Sequence, residues 1–66
     1  MNFNNKVFLI TGGTGSFGKA FSTYLLKFHK PKKIIIFSRD EFLQFEMSKE
    51  EIYKKNEKIM RFFIGD

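Results

Sequence analysis

Two kinds of apolar pattern alternate along the chain. Val7-Phe8-Leu9-Ile10, Ile34-Ile35-Ile36-Phe37 and Phe62-Phe63-Ile64 are short continuous runs, and the segments between them carry apolar residues at helical spacing. Continuous β-branched and aromatic runs of this length predict strands buried on both faces of a parallel sheet, here over residues 6–11, 33–38 and 60–64. Over residues 16–29 the apolar positions are Phe17, Ala20, Phe21, Tyr24, Leu25 and Phe28, which follow i, i+3, i+4, i+7, i+8, i+11. That spacing predicts a helix with these six on its inner stripe. Lys27, His29 and Lys30 suit the negative end of its dipole, and Pro31 stops it. Ser38 and Glu41 have the spacing of a capping box, so a second helix is expected to start near Asp40. Its stripe is looser (Phe42, Phe45, Ile52, Tyr53), with Lys49 interrupting and Met47 off the line, and it should fade around residues 55–56. Residues 1–5 read as a polar, frayed lead-in. No internal repeat, low-complexity segment or linker is visible.

The order is therefore β-α-β-α-β. Right-handed crossovers give a parallel sheet in the order 3-2-1, the first half of a doubly wound, Rossmann-type α/β fold. In the whole fold the free edge of the first strand pairs with a fourth strand. Residues 1–66 supply no fourth strand, so the chain is expected to be a partial nucleotide-binding domain cut from a larger protein.

The turn between the first strand and helix carries the most specific chemistry. Thr11-Gly12-Gly13-Thr14-Gly15-Ser16-Phe17-Gly18 contains four glycines. A strand that turns through glycines into a helix aims unpaired N–H groups and a positive helix end at one point, which fits a phosphate. Gly13-x-Gly15-x-x-Gly18 matches the dinucleotide spacing. Gly12-x-x-Gly15-x-x-Gly18 matches the variant of short-chain dehydrogenases. Gly12 or Gly13 supplies backbone angles closed to other residues, Gly15 lets a pyrophosphate approach the main chain, and Gly18 lets the helix pack on the strand. Thr14 and Ser16 add hydroxyls, and Phe17 contributes mainly its backbone N–H. The competing reading is a purely structural strand–helix turn.

At the end of the second strand stands Ser38-Arg39-Asp40-Glu41. An acidic residue there accepts bonds from the ribose 2′-hydroxyl of NAD, and a 2′-phosphate calls for Arg instead. Arg39 can stack on adenine and pair with the phosphate, and Ser38 can donate to it, which favours NADP. Asp40 turned toward the ribose would favour NAD. Ser38 and Asp40 also read as plain helix capping. Asp66, after the third strand, is placed to accept the adenine amine, the alternative being an ordinary polar residue.

Composition narrows the field. The 66 residues include no Cys and one His, which excludes disulfides and thiolate or His-cluster metal sites. There is no secretory signal and no apolar run of membrane-spanning length, so a soluble cytoplasmic protein is expected. A net charge of +5 admits a nucleic-acid binder, but the lysines are scattered among Glu46, Glu50, Glu51 and Glu57 and read as solvated surface. Ten Phe exceed what so short a chain can cover alone, which points to a larger protein or an oligomer. His29 reads as a solvated helix-end residue, and Tyr24 and Tyr53 as core. Neither Tyr begins a Tyr-x-x-x-Lys pair, since Phe28 and Glu57 stand four residues on. No nucleophile–base pair is present, so the chain carries a cofactor grip without catalytic residues.

Three blocks, Thr11-Gly-Gly-Thr-Gly-Ser-Phe-Gly-Lys-Ala20, Lys32-Lys-Ile-Ile-Ile-Phe-Ser-Arg-Asp-Glu41 and Arg61-Phe-Phe-Ile-Gly-Asp66, together resemble the N-terminus of the inverting UDP-N-acetylglucosamine 4,6-dehydratases. These are extended short-chain dehydrogenases/reductases. The resemblance implies a bacterial lyase that prepares a UDP-sugar for pseudaminic acid, capsule or O-antigen synthesis. The implied reaction is oxidation of the sugar at C4 with NADP, loss of water across C5 and C6, and return of hydride to C6 with inversion at C5. It implies cofactor contacts at Thr14, Gly15, Ser16, Phe17, Ser38, Arg39, Asp40, Glu41 and Asp66, to which the reading of the glycine turn adds Gly12 and Gly18. It places the catalytic pair and the UDP-N-acetylglucosamine site beyond residue 66, in a parent expected to be a homo-oligomer. Leu43 departs from the family, whose members often carry a Lys there. Another sugar-nucleotide epimerase or dehydratase of the same superfamily, and a non-catalytic nucleotide-binding module, are the competing functions.

Overall fold

Residues 2–65 are described by a computed structural model. The elements run β1 (Val7–Thr11), α1 (Ser16–Phe28), β2 (Lys33–Ser38), α2 (Glu41–Lys49), α3 (Glu51–Lys54) and β3 (Met60–Ile64). The three strands are parallel with β2 in the middle, which is the expected order. Val7 pairs with Lys33 and Ile34 with Met60, so one register runs across the sheet.

Both crossovers run in the same direction, so both helical segments lie on one face. Ile10, Ile34, Ile36 and Met60 point to that face and form the core with Leu25, Met47 and Tyr53. Phe8, Phe21, Leu26, Ile52 and Phe62 pack around it. The expectation of strands buried on both faces holds for one face only. Val7 and Leu9 on β1 are 55% and 63% exposed, and Phe63 on β3 is 52% exposed. They belong to the alternate residues, which no helix covers.

The helices turn differently from the expected stripes. On α1 the buried residues are Gly18, Ser22 and Leu25. Phe17, Tyr24 and Phe28 are exposed, the first at 78%. The helix is rotated by about one residue because Gly18 sits against the glycine turn and Ser22 reaches across to Tyr53. On α2 the buried residues are Gln44 and Met47, and Phe42 and Phe45 face outward. The expected single helix is interrupted at Glu50, whose backbone is extended (φ −66°, ψ 141°). Along an unbroken helix Tyr53 would lie about 120° around from Met47, and the interruption brings both inward. Tyr53 is then 1% exposed, as expected of a core residue.

The lead-in is anchored at its described end. Asn5 N–H donates to Lys30 O (2.8 Å), Asn4 Oδ1 accepts from Lys30 N–H (2.8 Å), and Phe3 packs edge-on against Phe8 and Phe21. His29 is held in the same cluster, its ring 5.1 Å from that of Phe3 and its Nε2 3.2 Å from the Tyr24 hydroxyl. It is half-buried rather than solvated.

Candidate functional site

Backbone geometry at the first crossover sets the site. Gly12 has φ +63°, and its N–H donates to Phe37 O (2.8 Å), which ties the turn to the end of β2. Of the two glycines that could have supplied the closed backbone angle, Gly12 does so. Gly13 is needed for space, since a Cβ there would lie 2.7 Å from Ile36 Cγ2. A Cβ on Gly18 would lie 2.5 Å from Gly13 Cα, so helix and turn touch backbone to backbone. Gly15 N–H closes the turn on Gly12 O (3.0 Å), and Gly15 is the N-cap of α1 with no side-chain cap bond.

The first intrahelical bond runs from Lys19 N–H to Gly15 O (3.0 Å). The N–H groups of Ser16, Phe17 and Gly18 therefore have no partner among the described residues, at the positive end of a 13-residue helix. A pyrophosphate fits that position, where a capping side chain would otherwise fill the space. The Lys19 side chain does not share this anion site. Its Nζ donates to Glu50 Oε2 at 2.7 Å, and this bond raises the ammonium pKa above its ordinary value near 10.5.

Beside the turn lies an open groove of about 570 Å³ lined by Gly12, Thr14, Ser38, Arg39, Asp40, Glu41 and Leu43. The structure thus brings the glycine turn and the end of β2 onto one concave surface. Arg39, Asp40 and Glu41 are exposed there, and Ser38 is buried. The capping box does not form as expected. Asp40 is the N-cap of α2, and its Oδ1 accepts from Leu43 N–H at 2.9 Å. Ser38 Oγ accepts instead from Gln44 Nε2 (2.9 Å), which also donates to Phe63 O (2.7 Å). Gly65 N–H bonds to Ser38 O (3.0 Å), which brings the end of β3 beside the groove. Asp66 lies outside the described residues. Gln44 is the member of this constellation that the sequence did not reveal: its burial follows from the phase of α2, which the outward Phe42 and Phe45 obscure.

Among the described residues no three His, Asp or Glu side chains gather as a metal site, and no helix is long and apolar enough to cross a membrane. What is assembled is a groove between the glycine turn and the Ser-Arg-Asp-Glu turn, next to a helix start whose first N–H groups have no partner among the described residues.

The chain is similar to known proteins over almost its whole length. Over 64 residues the chain is 61% identical to the UDP-N-acetylglucosamine 4,6-dehydratase (inverting) of Campylobacter jejuni subsp. jejuni serotype O:23/36, covering 97% of this chain and 18% of that protein. It is 49% identical over 67 residues to the UDP-glucose 4-epimerase of Rickettsia bellii, again covering 97% of this chain and 18% of the relative. Among solved structures, the X-ray structure of Pen from Bacillus thuringiensis superposes with a TM-score of 0.81 at 39% identity, over 100% of this chain and 19% of that one. This chain thus spans about a fifth of the length of the proteins it resembles. The family model described as polysaccharide biosynthesis protein matches residues 8–66. A match running from β1 through both crossovers and all three strands places the chain in that polysaccharide biosynthesis protein family.

Proposed function

We propose that this chain is the NADP-binding part of an inverting UDP-N-acetylglucosamine 4,6-dehydratase, a cytoplasmic enzyme that prepares a sugar nucleotide for a surface polysaccharide. The cofactor reading rests on one observation above the others. The acid that would have favoured NAD, Asp40, spends its Oδ1 on the N-cap bond to Leu43, and Arg39 stands exposed at the same groove. Ser16, Phe17 and Gly18 would hold the pyrophosphate through their N–H groups, and Arg39 and Ser38 would take the 2′-phosphate. Thr14 and Glu41 line the path between. When bound, NADP supplies the hydride acceptor, and this chain's residues bind and orient it.

Arg39→Ala in the full-length protein tests the cofactor choice. NADP affinity should fall by at least about tenfold, with NAD affinity changed far less, as expected for loss of a charge-assisted contact. Equal losses for both would remove the 2′-phosphate role.

The Rickettsia relatives support a second reading, a UDP-sugar 4-epimerase. Product mass separates the two. Incubated with UDP-N-acetylglucosamine, the full-length protein should give a UDP-sugar lighter by one water, and an unchanged mass with the C4 epimer would favour the epimerase.

A further inference from the structure

Gln44 lies on α2 and does not itself line the groove, yet it is one of the few buried polar side chains described. Its amide nitrogen lies 2.7 Å from the carbonyl oxygen of Phe63 and 2.9 Å from Ser38 Oγ. A carbonyl oxygen can only accept, so the atom facing Phe63 must be the N–H₂ end. The same nitrogen then faces Ser38, and Ser38 Oγ must accept from it. With one lone pair engaged, the Ser38 hydroxyl proton cannot point toward Gln44. No described residue accepts that proton. Ser38 lines the groove, so its proton is available to a ligand there.

We infer that Gln44 is a positioning residue: by donating to both Ser38 Oγ and Phe63 O, it fixes the ends of β2 and β3 and holds the Ser38 hydroxyl as a donor into the groove. A fixed donor recognises an acceptor with no proton of its own, which describes a phosphate oxygen better than a hydroxyl. The inference rests on the NADP reading of the groove, and it assigns part of the selectivity for a 2′-phosphate over a 2′-hydroxyl to a side chain that never touches the cofactor.

The test measures NADP and NAD affinities of the full-length protein by titration calorimetry for wild type, Gln44→Met, Ser38→Ala, the double variant and Arg39→Ala. Gln44→Met keeps the shape and removes both donors. It should weaken NADP about fivefold and NAD less than twofold. Ser38→Ala should weaken NADP about tenfold, and the double variant should match Ser38→Ala because both act through one proton. Equal losses for the two cofactors, or additive losses in the double variant, would mean that Gln44 only supports the fold, and the inference would fall. If Gln44→Met does not fold, Ser38→Ala decides: loss of NADP preference supports the oriented donor, and retained preference overturns it. A wild type without NADP preference would overturn the cofactor reading and this inference together. A wild-type preference that Arg39→Ala abolishes and Gln44→Met leaves intact would overturn the inference alone.

Discussion

A methyl group on residue 18 would sit 2.5 Å from Gly13 Cα and 2.6 Å from Gly13 O. Neither contact is with a flexible side chain, so Gly18→Ala must push α1 off the turn. It should destabilise the full-length protein by about 1–3 kcal/mol, read as a lower denaturant midpoint. Gly12→Ala has open space for its Cβ but a backbone at φ +63°, and should cost about 1–2 kcal/mol for that reason alone. Gly15→Ala is the contrast. Its Cβ would meet only Gly12 O, at 3.4 Å, and its φ of −76° suits any residue. Stability should therefore change little. If the main chain at Gly15 is where pyrophosphate approaches, cofactor affinity should fall in a protein that is otherwise sound. Side-chain electrostatics at this scale is weaker. The Glu50 carboxylate raises the Lys19 pKa, so the pair's contribution is present below the ordinary Lys range and is lost as pH rises through the raised value. Both side chains are 43% exposed, so Lys19→Met should cost no more than about 0.5 kcal/mol at neutral pH, and less in high salt.

Between elements, the contact that matters most is polar. Tyr53 on α3 places its hydroxyl 2.7 Å from Ser22 Oγ, 3.1 Å from Thr23 Oγ1 and 3.3 Å from Lys19 O, all on α1. Tyr53→Phe removes that hydroxyl where water cannot replace it, and should cost about 1–2 kcal/mol. Ser22→Ala should cost less alone, because the Tyr53 hydroxyl keeps Thr23 Oγ1 and Lys19 O as partners when Ser22 Oγ is removed. A double-mutant cycle should show about 0.5–1.5 kcal/mol of coupling, whereas additive effects would mean the two hydroxyls do not act on each other. This contact also explains how far the sequence could be read. The bounds of β2 and β3 and the start of α1 followed from continuous apolar runs and the glycine turn, signals that local chemistry determines. Helix rotation was not legible, because α1 carries more apolar residues than one face can bury. The choice among Phe17, Tyr24 and Leu25 was made by Gly18 and Ser22, which a hydrophobic pattern does not count. The interruption at Glu50 was hidden for a similar reason, since only the burial of Tyr53 beside Met47 requires it. At the site, the glycines and Arg39 were evident from their spacing. Gln44 was not, because its role depends on Phe63, nineteen residues away.

At the scale of the molecule, one face of the sheet carries the helices and the other is open. Leu9 sits midway along the edge strand β1 on the open face, opposite Ile35 and on the same face as Val7, and it is 63% exposed. Doubly wound parallel sheets are covered on both faces, so the full-length protein is expected to bury this surface. Leu9→Lys distinguishes the two situations. In the 66-residue polypeptide expressed alone, the new ammonium stays in water and the helix-side core is untouched, so stability should change by less than about 0.5 kcal/mol. Its large exposed apolar surface should bind a hydrophobic dye and drive concentration-dependent association, and Leu9→Lys should reduce both. In the full-length protein the same substitution would lose a buried Leu and place a charge against apolar packing, at a cost of about 3 kcal/mol or more. Comparing denaturant midpoints of the variant in the two contexts reads this directly. A tolerated Leu9→Lys in the full-length protein would mean that this face stays open to solvent there, and that the sheet is not the two-sided one its β-α-β-α-β order implies.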